Sequence, residues 1–199
     1  PIELCNKHVA QFQELDHALN CRYDGYVRTT SDAHKTIARK LWAKCEQEGG
    51  VYLGMYVGWY NVREETFVTD SDALANDYKD PSSGVPLKKM EEPSYFFKLS
   101  EYQQKLIEHI QTHADFIVPE ARRNEVLERL AVPLKDLSVS RTTFDWGISV
   151  PGDIPGHVMY VWFDALSNYI TAIGYDPTAP DPSRSSPLAH FWPAACHLI

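Results

Sequence analysis

Apolar and polar positions recur along the chain with a helical period at both ends and a strand-like period in the middle. Over residues 1–20, Cys5, Val9, Phe12 and Leu19 lie at i, i+4, i+7 and i+14, the spacing of one helix face. The stretch DGYVRTT (24–30) predicts a short strand. Ser31 or Asp32 then caps a second helix, whose apolar side carries His34, Ala38, Leu41, Trp42 and Cys45, and which Gly49 and Gly50 end. From residue 51 the pattern changes. VYLGMYVGWYNVREETFVTD (51–70) mixes aromatics, valines and glycines as strands do, and the polar residues 71–94, with three prolines, predict loops and a hairpin. Helical spacing returns at Leu106, Ile107 and Ile110 behind a Ser100 cap. It returns again over 119–130, where Pro119 opens a helix with Val126, Leu127 and Leu130 inside. Residues 134–153 read as extended and turn-rich.

The run HVMYVWFDALSNYITAIGY (157–175) predicts a strand over 157–162 followed by a helix over 163–174 that Gly174 ends. Trp162 falls at the strand end, with Tyr160 on the same side. Trp162, Ala165, Leu166 and Tyr169 follow at i, i+3, i+4 and i+7, on one side of the helix. A small residue flanked by large rings leaves a slot that suits an apolar side chain, and sulfur contacts to aromatic rings add of order 1 kcal/mol. The same stripe is the ordinary mark of a packed core, and spacing alone favours that reading. Asp164, at a helix start, suits the positive end of the helix dipole. A Pro/Ser-rich loop follows at 175–187, then a turn running into a buried strand at 194–199.

Helices and strands alternating at both ends around an irregular centre predict an α/β sheet whose chain is interrupted: residues 1–49, an insertion over 50–140, and a return over 141–199. The 199 residues are 44% hydrophobic and 12% aromatic, enough to build a core, and the net charge of −8 excludes a simple basic nucleic-acid glove. Both ends fall in predicted elements rather than in exposed linkers, which predicts a piece of a larger protein. No run of about 18 apolar residues predicts a membrane span. The four cysteines form no CxxC pair, which predicts reduced thiols in a cytoplasmic protein, a mitochondrial one being the alternative, and no structural zinc. Arg122 and Arg123 could meet phosphate, although a solvated face fits them better. No Ser/His/Asp set or activated cysteine stands out.

Several segments, in order, resemble one family. YVWFDALSNY resembles the methionine-pocket segment of the methionyl-tRNA synthetases, which are class I aminoacyl-tRNA synthetases. YLGMYVGWYNVREETFVTD resembles the family's inserted connective peptide, and SYFFKLSEYQQKLIEHI with PEARRNEVL resembles its continuation. LKDLSVSR with WGISVPGD resembles the return to the sheet. The match covers nearly the whole chain.

The resemblance implies a Rossmann-like catalytic domain interrupted by a mixed α+β insertion. It also implies activation of L-methionine with ATP, carried with Mg²⁺, and transfer to tRNA(Met). Trp162, Ala165, Leu166 and Tyr169 would line the methionine pocket, with Tyr160 and Val161 beside it. Arg141 would lie near the ATP and active-site region, and His197 and Ile199 would begin a segment touching adenosine. The family's His-Ile-Gly-His and Lys-Met-Ser-Lys-Ser signatures and its anticodon-binding domain are missing from this stretch. Lys88-Lys89-Met90 lies in the wrong place to be the second signature. With no cysteine between residues 46 and 195, the chain resembles the zinc-free form, in which residues 70–94 would be a knuckle built without metal. Related synthetases for leucine, isoleucine or valine usually carry a longer insertion. A non-catalytic structural or tRNA-contacting module, inert without the missing signatures, is the rival reading.

Overall fold

In the computed structural model of the chain, residues 1–63, 66–68, 70–152, 155–179, 191 and 197–198 are described. Helix α1 (Ile2–Ala18) leads to α2 (Asp32–Gln47). Ser31 caps α2 as the sequence predicts, its hydroxyl oxygen accepting the His34 N–H at 3.3 Å. The helix ends where Gly49 takes φ +72° and Gly50 donates to the Cys45 carbonyl at 2.8 Å, the left-handed stop that glycine allows. His34, Ala38 and Trp42 are buried, so the apolar side of α2 is a true core face.

Helix α1 forms as the spacing predicts, and its apolar side is open: Cys5, Val9 and Phe12 line a groove of about 640 Å³ against Tyr26 and Val27, and Phe12 and Leu19 are exposed. An amphipathic pattern says which side is apolar, not that something covers it. Residues 24–30 form no strand, because no described strand lies alongside to complete a ladder.

From Val51 the chain builds an antiparallel sheet in the order β2 (Thr66–Val68), β1 (Val51–Asn61), β3 (Lys88–Phe97) and β5 (Leu137–Ser138). The register of β1 on β3 runs from Val51 opposite Phe97 to Tyr60 opposite Lys88. Between β2 and β3 lie a short helix, α3 (Asp70–Ala75), and a tight loop. The Asp80 carboxylate organises that loop. Its Oδ1 accepts from the N–H and hydroxyl of both Ser82 and Ser83 at 2.7–3.0 Å, which holds the carboxyl far below the usual range, the Ser82 hydroxyl contributing most.

A 3₁₀ turn (Leu99–Tyr102) precedes α4 (Gln103–Thr112). Ser100 lies inside that turn and does not cap α4. Its hydroxyl instead donates to Asp136 at 2.6 Å. Strand β4 (Ile117–Val118) and α5 (Glu120–Leu130) follow, and Ile110, Ile117 and Leu130 close a small core with Leu106, Ile107, Val126 and Leu127. Arg122 and Arg123 pair with Glu125 and Glu120 on the same helix. The chain then returns through β6 (Ser140–Arg141) and β7 (Val158–Met159), antiparallel to each other, into α6 (Val161–Thr171). Strand β8 (His197–Leu198) lies parallel to β4. Among the described residues no helix is long and apolar enough to cross a membrane.

The main core draws on all three parts of the sequence: Ala38 and Trp42 from α2, Val51, Tyr95 and Val139 from the insertion, and Ile148 and Met159 from the return. The Trp42 indole, fully buried, meets Tyr95 and Phe163 edge-on at centroid distances of 5.4 and 4.9 Å. Among the described residues its Nε1–H has no hydrogen-bond partner. Replacing it with alanine leaves a large void, and Trp42→Ala is expected to cost about 3–5 kcal/mol, read as a lowered urea midpoint. Trp42→Phe, which keeps an aromatic ring and removes the unpaired N–H, is expected to cost clearly less.

Candidate functional site

Helix α6 is anchored on one side and open on the other. Its inner side sends Phe163 onto Trp42 and buries Ser167. At its ends, Asp164 and Thr171 reach the buried His34 of α2: Nε2 lies 2.8 Å from Asp164 Oδ1, and Nδ1 lies 3.0 Å from Thr171 Oγ1. Asp164 thus sits in the first turn, as the dipole argument expects, and also secures a buried histidine.

The outer side carries the stripe. Trp162, Leu166 and Tyr169 are 50%, 53% and 63% exposed, with the half-buried Ala165 between them and Val161 50% exposed beside them. The helical spacing is therefore correct and the core reading is not, because the core side of α6 is the opposite one. Trp162 and Leu166 also wall an apolar groove of about 360 Å³, with Leu41 and Cys45 of α2 and Phe97 and Leu137 of the sheet. A contiguous apolar surface of this kind is a candidate binding surface.

The strand predicted over 157–162 shrinks to Val158–Met159. Trp162 is in the first turn of a helix, not at a strand end, and Tyr160 and Trp162 do not share a strand face. The Tyr160 carbonyl accepts from the N–H groups of both Phe163 and Asp164, at 3.0 and 3.1 Å, which closes the first turn two residues early. Tyr160 itself is the extended residue preceding the helix, φ −76° and ψ 155°.

Arg141 does not face an open site. It is buried, and its guanidinium carbon lies 3.8 Å from the centre of the Tyr160 ring, with the Tyr56 and Phe67 rings at 5.0 and 5.5 Å. Nη1 donates to the Ser140 carbonyl at 2.7 Å and to the Ser138 hydroxyl. The buried Glu92 of β3 supplies the countercharge, its Oε1 standing 3.4 Å from Arg141 Nε. Gly58 makes room for this cage, since a Cβ there would meet the Phe67 ring at 2.8 Å. Burial raises the Tyr56 hydroxyl pKa, and the nearby Arg141 opposes that rise. Below the cage, Ser140 Oγ accepts the Tyr95 N–H at 2.8 Å and lies 3.0 Å from His157 Nδ1. Burial lowers the His157 pKa, so its ring is neutral at pH 7.

The structure thus brings Tyr160 and Arg141 together and sets Val161, Trp162, Ala165, Leu166 and Tyr169 on one exposed side. His197 is described only through its backbone, paired with Ile117, and Ile199 lies outside the described residues. Glu92 and His34 had no sequence signal as polar anchors: Glu92 is one of two adjacent glutamates, and His34 reads as one position of an apolar helix side. Among the described residues no group of three His, Cys, Asp or Glu side chains is placed to hold a metal ion.

The family model described as tRNA synthetases class I (M) matches residues 1–78 and 73–197. The methionine–tRNA ligase of Rhizobium meliloti is 46% identical over the whole chain, and that of Rickettsia prowazekii 43%. The chain spans 38% and 37% of their respective lengths. The structure superposes on Mycobacterium tuberculosis methionyl-tRNA synthetase bound by methionyl-adenylate with a TM-score of 0.79 at 42% identity, over 96% of this chain and 37% of that one. The mixed α/β architecture is that of the class I synthetase catalytic fold. With nearly every residue inside the family model and the fold shared with a solved member, the chain belongs to the class I tRNA synthetases of the M type.

Proposed function

We propose that this chain is the amino-acid-selecting part of a methionine–tRNA ligase. The observation that carries this reading is the outward apolar side of α6, with Trp162, Leu166 and Tyr169 about half exposed or more while the opposite side is locked into the core. Residues 1–49 and 141–199 would belong to the catalytic domain, and residues 50–140, which hold the antiparallel sheet strands β1, β2, β3 and β5, to the inserted connective peptide. In the proposed reaction, the methionine carboxylate attacks the α-phosphorus of ATP and pyrophosphate leaves, giving methionyl-adenylate. A terminal ribose hydroxyl of tRNA(Met) then attacks the acyl carbon, and AMP leaves. Such chemistry relies on positioning and on neutralising phosphate charge, with Mg²⁺ arriving on ATP, more than on side-chain nucleophiles.

This chain's part is to hold the side chain of the amino acid. Trp162 and Tyr169 would flank a linear thioether, Ala165 would leave it room, Leu166 would close one end, and Tyr160 and Val161 would border the entrance. Placing His197 and Ile199 near adenosine rests on the family resemblance alone. Arg141, buried beneath Tyr160, suits a supporting role at the rim of the active site better than direct contact with phosphate.

In the full-length protein, ATP–pyrophosphate exchange is expected with methionine and not with leucine, isoleucine or valine. Trp162→Ala is expected to raise the KM for methionine by roughly 10-fold or more, as loss of a large apolar contact implies, with thermal stability unchanged. Exchange driven by another amino acid, or a KM within about twofold of wild type, would refute the pocket.

We also propose that the loop after α3 is a metal-free knuckle in which the Asp80 carboxylate does the organising. Its lowered pKa means that its contribution is complete above about pH 4, the ordinary carboxylate range, and is lost as pH falls below it. Asp80→Asn is therefore expected to lower stability at pH 7 and to flatten its acid dependence, while a chelator leaves the protein unchanged. One tightly bound zinc per chain, found by elemental analysis, would refute this.

A further inference from the structure

Glu92 lies on β3, outside the amino-acid wall, yet it is 3% exposed and ionisable. Among the described residues its Oε1 has no hydrogen-bond partner and faces the Arg141 charge, while Oε2 receives long contacts from Thr142, 3.5 Å from the N–H and 3.3 Å from the hydroxyl. Arg141 in turn lies flat against Tyr160, and Tyr160 is the residue from which α6 starts. Trp162 follows two residues later. One continuous line therefore runs from a carboxylate on the sheet, through a guanidinium and a ring, to the first turn of the wall.

We propose that Glu92 is a positioning residue for amino-acid binding: it holds Arg141 beneath Tyr160 and so sets the direction in which α6 presents Trp162. The inference rests on the reading of α6 as the methionine wall. Three features single out this line. Ser138 and Ser140 accept from the guanidinium and aromatic rings cover it, while Glu92, 3.4 Å from Nε, supplies its countercharge from the sheet. From Phe163 onward α6 is fixed independently by Phe163 on Trp42 and by His34 on Asp164 and Thr171, so loss of Glu92 moves Tyr160 to Trp162 rather than the whole helix. Finally, Arg141 bridges the antiparallel sheet and the helix, so Glu92 ties the inserted segment to the amino-acid site.

The test is Glu92→Gln in the full-length protein, which keeps the shape and removes the charge. Exchange kinetics are followed against methionine and ATP separately, with Tm alongside. The expected result is a methionine KM raised about 10-fold, a size typical of coupling between contacting residues, with ATP KM and kcat within about twofold and Tm within a few degrees. A methionine KM within about twofold of wild type overturns the proposal. So does a parallel loss of methionine affinity, ATP affinity and kcat together with Tm, which is what a purely structural role gives. If Glu92→Gln does not fold, Thr142→Val decides, because it removes only the hydroxyl contact to Glu92. A methionine KM raised about two- to threefold supports the role, and an unchanged one overturns it. Absence of methionine-dependent exchange in the unsubstituted protein would instead refute the wall itself, which separates the two failures.

Discussion

The edge-on contact of Phe163 with Trp42 decides which side of α6 is inside. Trp42 also meets Tyr95, so one indole joins a helix from the start of the chain, a strand from the middle and a helix from the return. Once Phe163 is committed to that contact, the 3.6-residue period turns Trp162, Leu166 and Tyr169 outward. This apolar side is exposed because the core has already taken the other side of the same helix. Fully burying one such side chain gains about 1.5–3 kcal/mol, so three left half open represent free energy that a bound apolar group can recover.

Aromatic packing fixes the inside of α6 but is poorly directional along the helix axis. The polar contacts supply that direction. His34 reaches both Asp164 and Thr171, one near each end of α6, so the helix cannot slide against α2 without breaking a buried hydrogen bond. Arg141 under Tyr160 does the same for the residue that starts the helix. Arg141 and Glu92 are both buried and stand as an ion pair, Nε to Oε1 at 3.4 Å, between the helix start and the sheet.

Much of this was legible in the sequence where spacing and packing agree. The five apolar positions of α2, its serine cap and its glycine stop all hold, as does the i, i+3, i+4, i+7 stripe. Three kinds of feature were not legible. Periodicity cannot say whether a partner exists, so α1 shows an apolar face that covers nothing, and the α6 stripe reads as core. Aromatic and branched residues suit strand and helix start alike, so the boundary at 157–162 depended on which N–H groups the Tyr160 carbonyl would accept. Pairings between residues distant in sequence leave no local trace. Glu92 with Arg141 and His34 with Asp164 emerge only when the sheet and the two helices are assembled. The residues that the family resemblance names as pocket residues lie on the exposed side of α6, and the Arg141 that it names is buried against Tyr160.

A binding wall must be rigid to be selective. One methylene more or less is worth only about 1–3 kcal/mol in an apolar pocket, so a wall that yields by a fraction of an ångström loses the distinction. Side chains on a helix hold position better than those on a loop, provided the helix itself is fixed. Here α6 is fixed at its start by Tyr160 on Arg141, along its inner side by Phe163 on Trp42, and across both ends by His34. The outer residues can then be large, apolar and half exposed while the helix that carries them keeps its place. Under the proposed reading, the polar anchors behind α6 need touch no ligand to matter: they hold the helix that presents the apolar side chains.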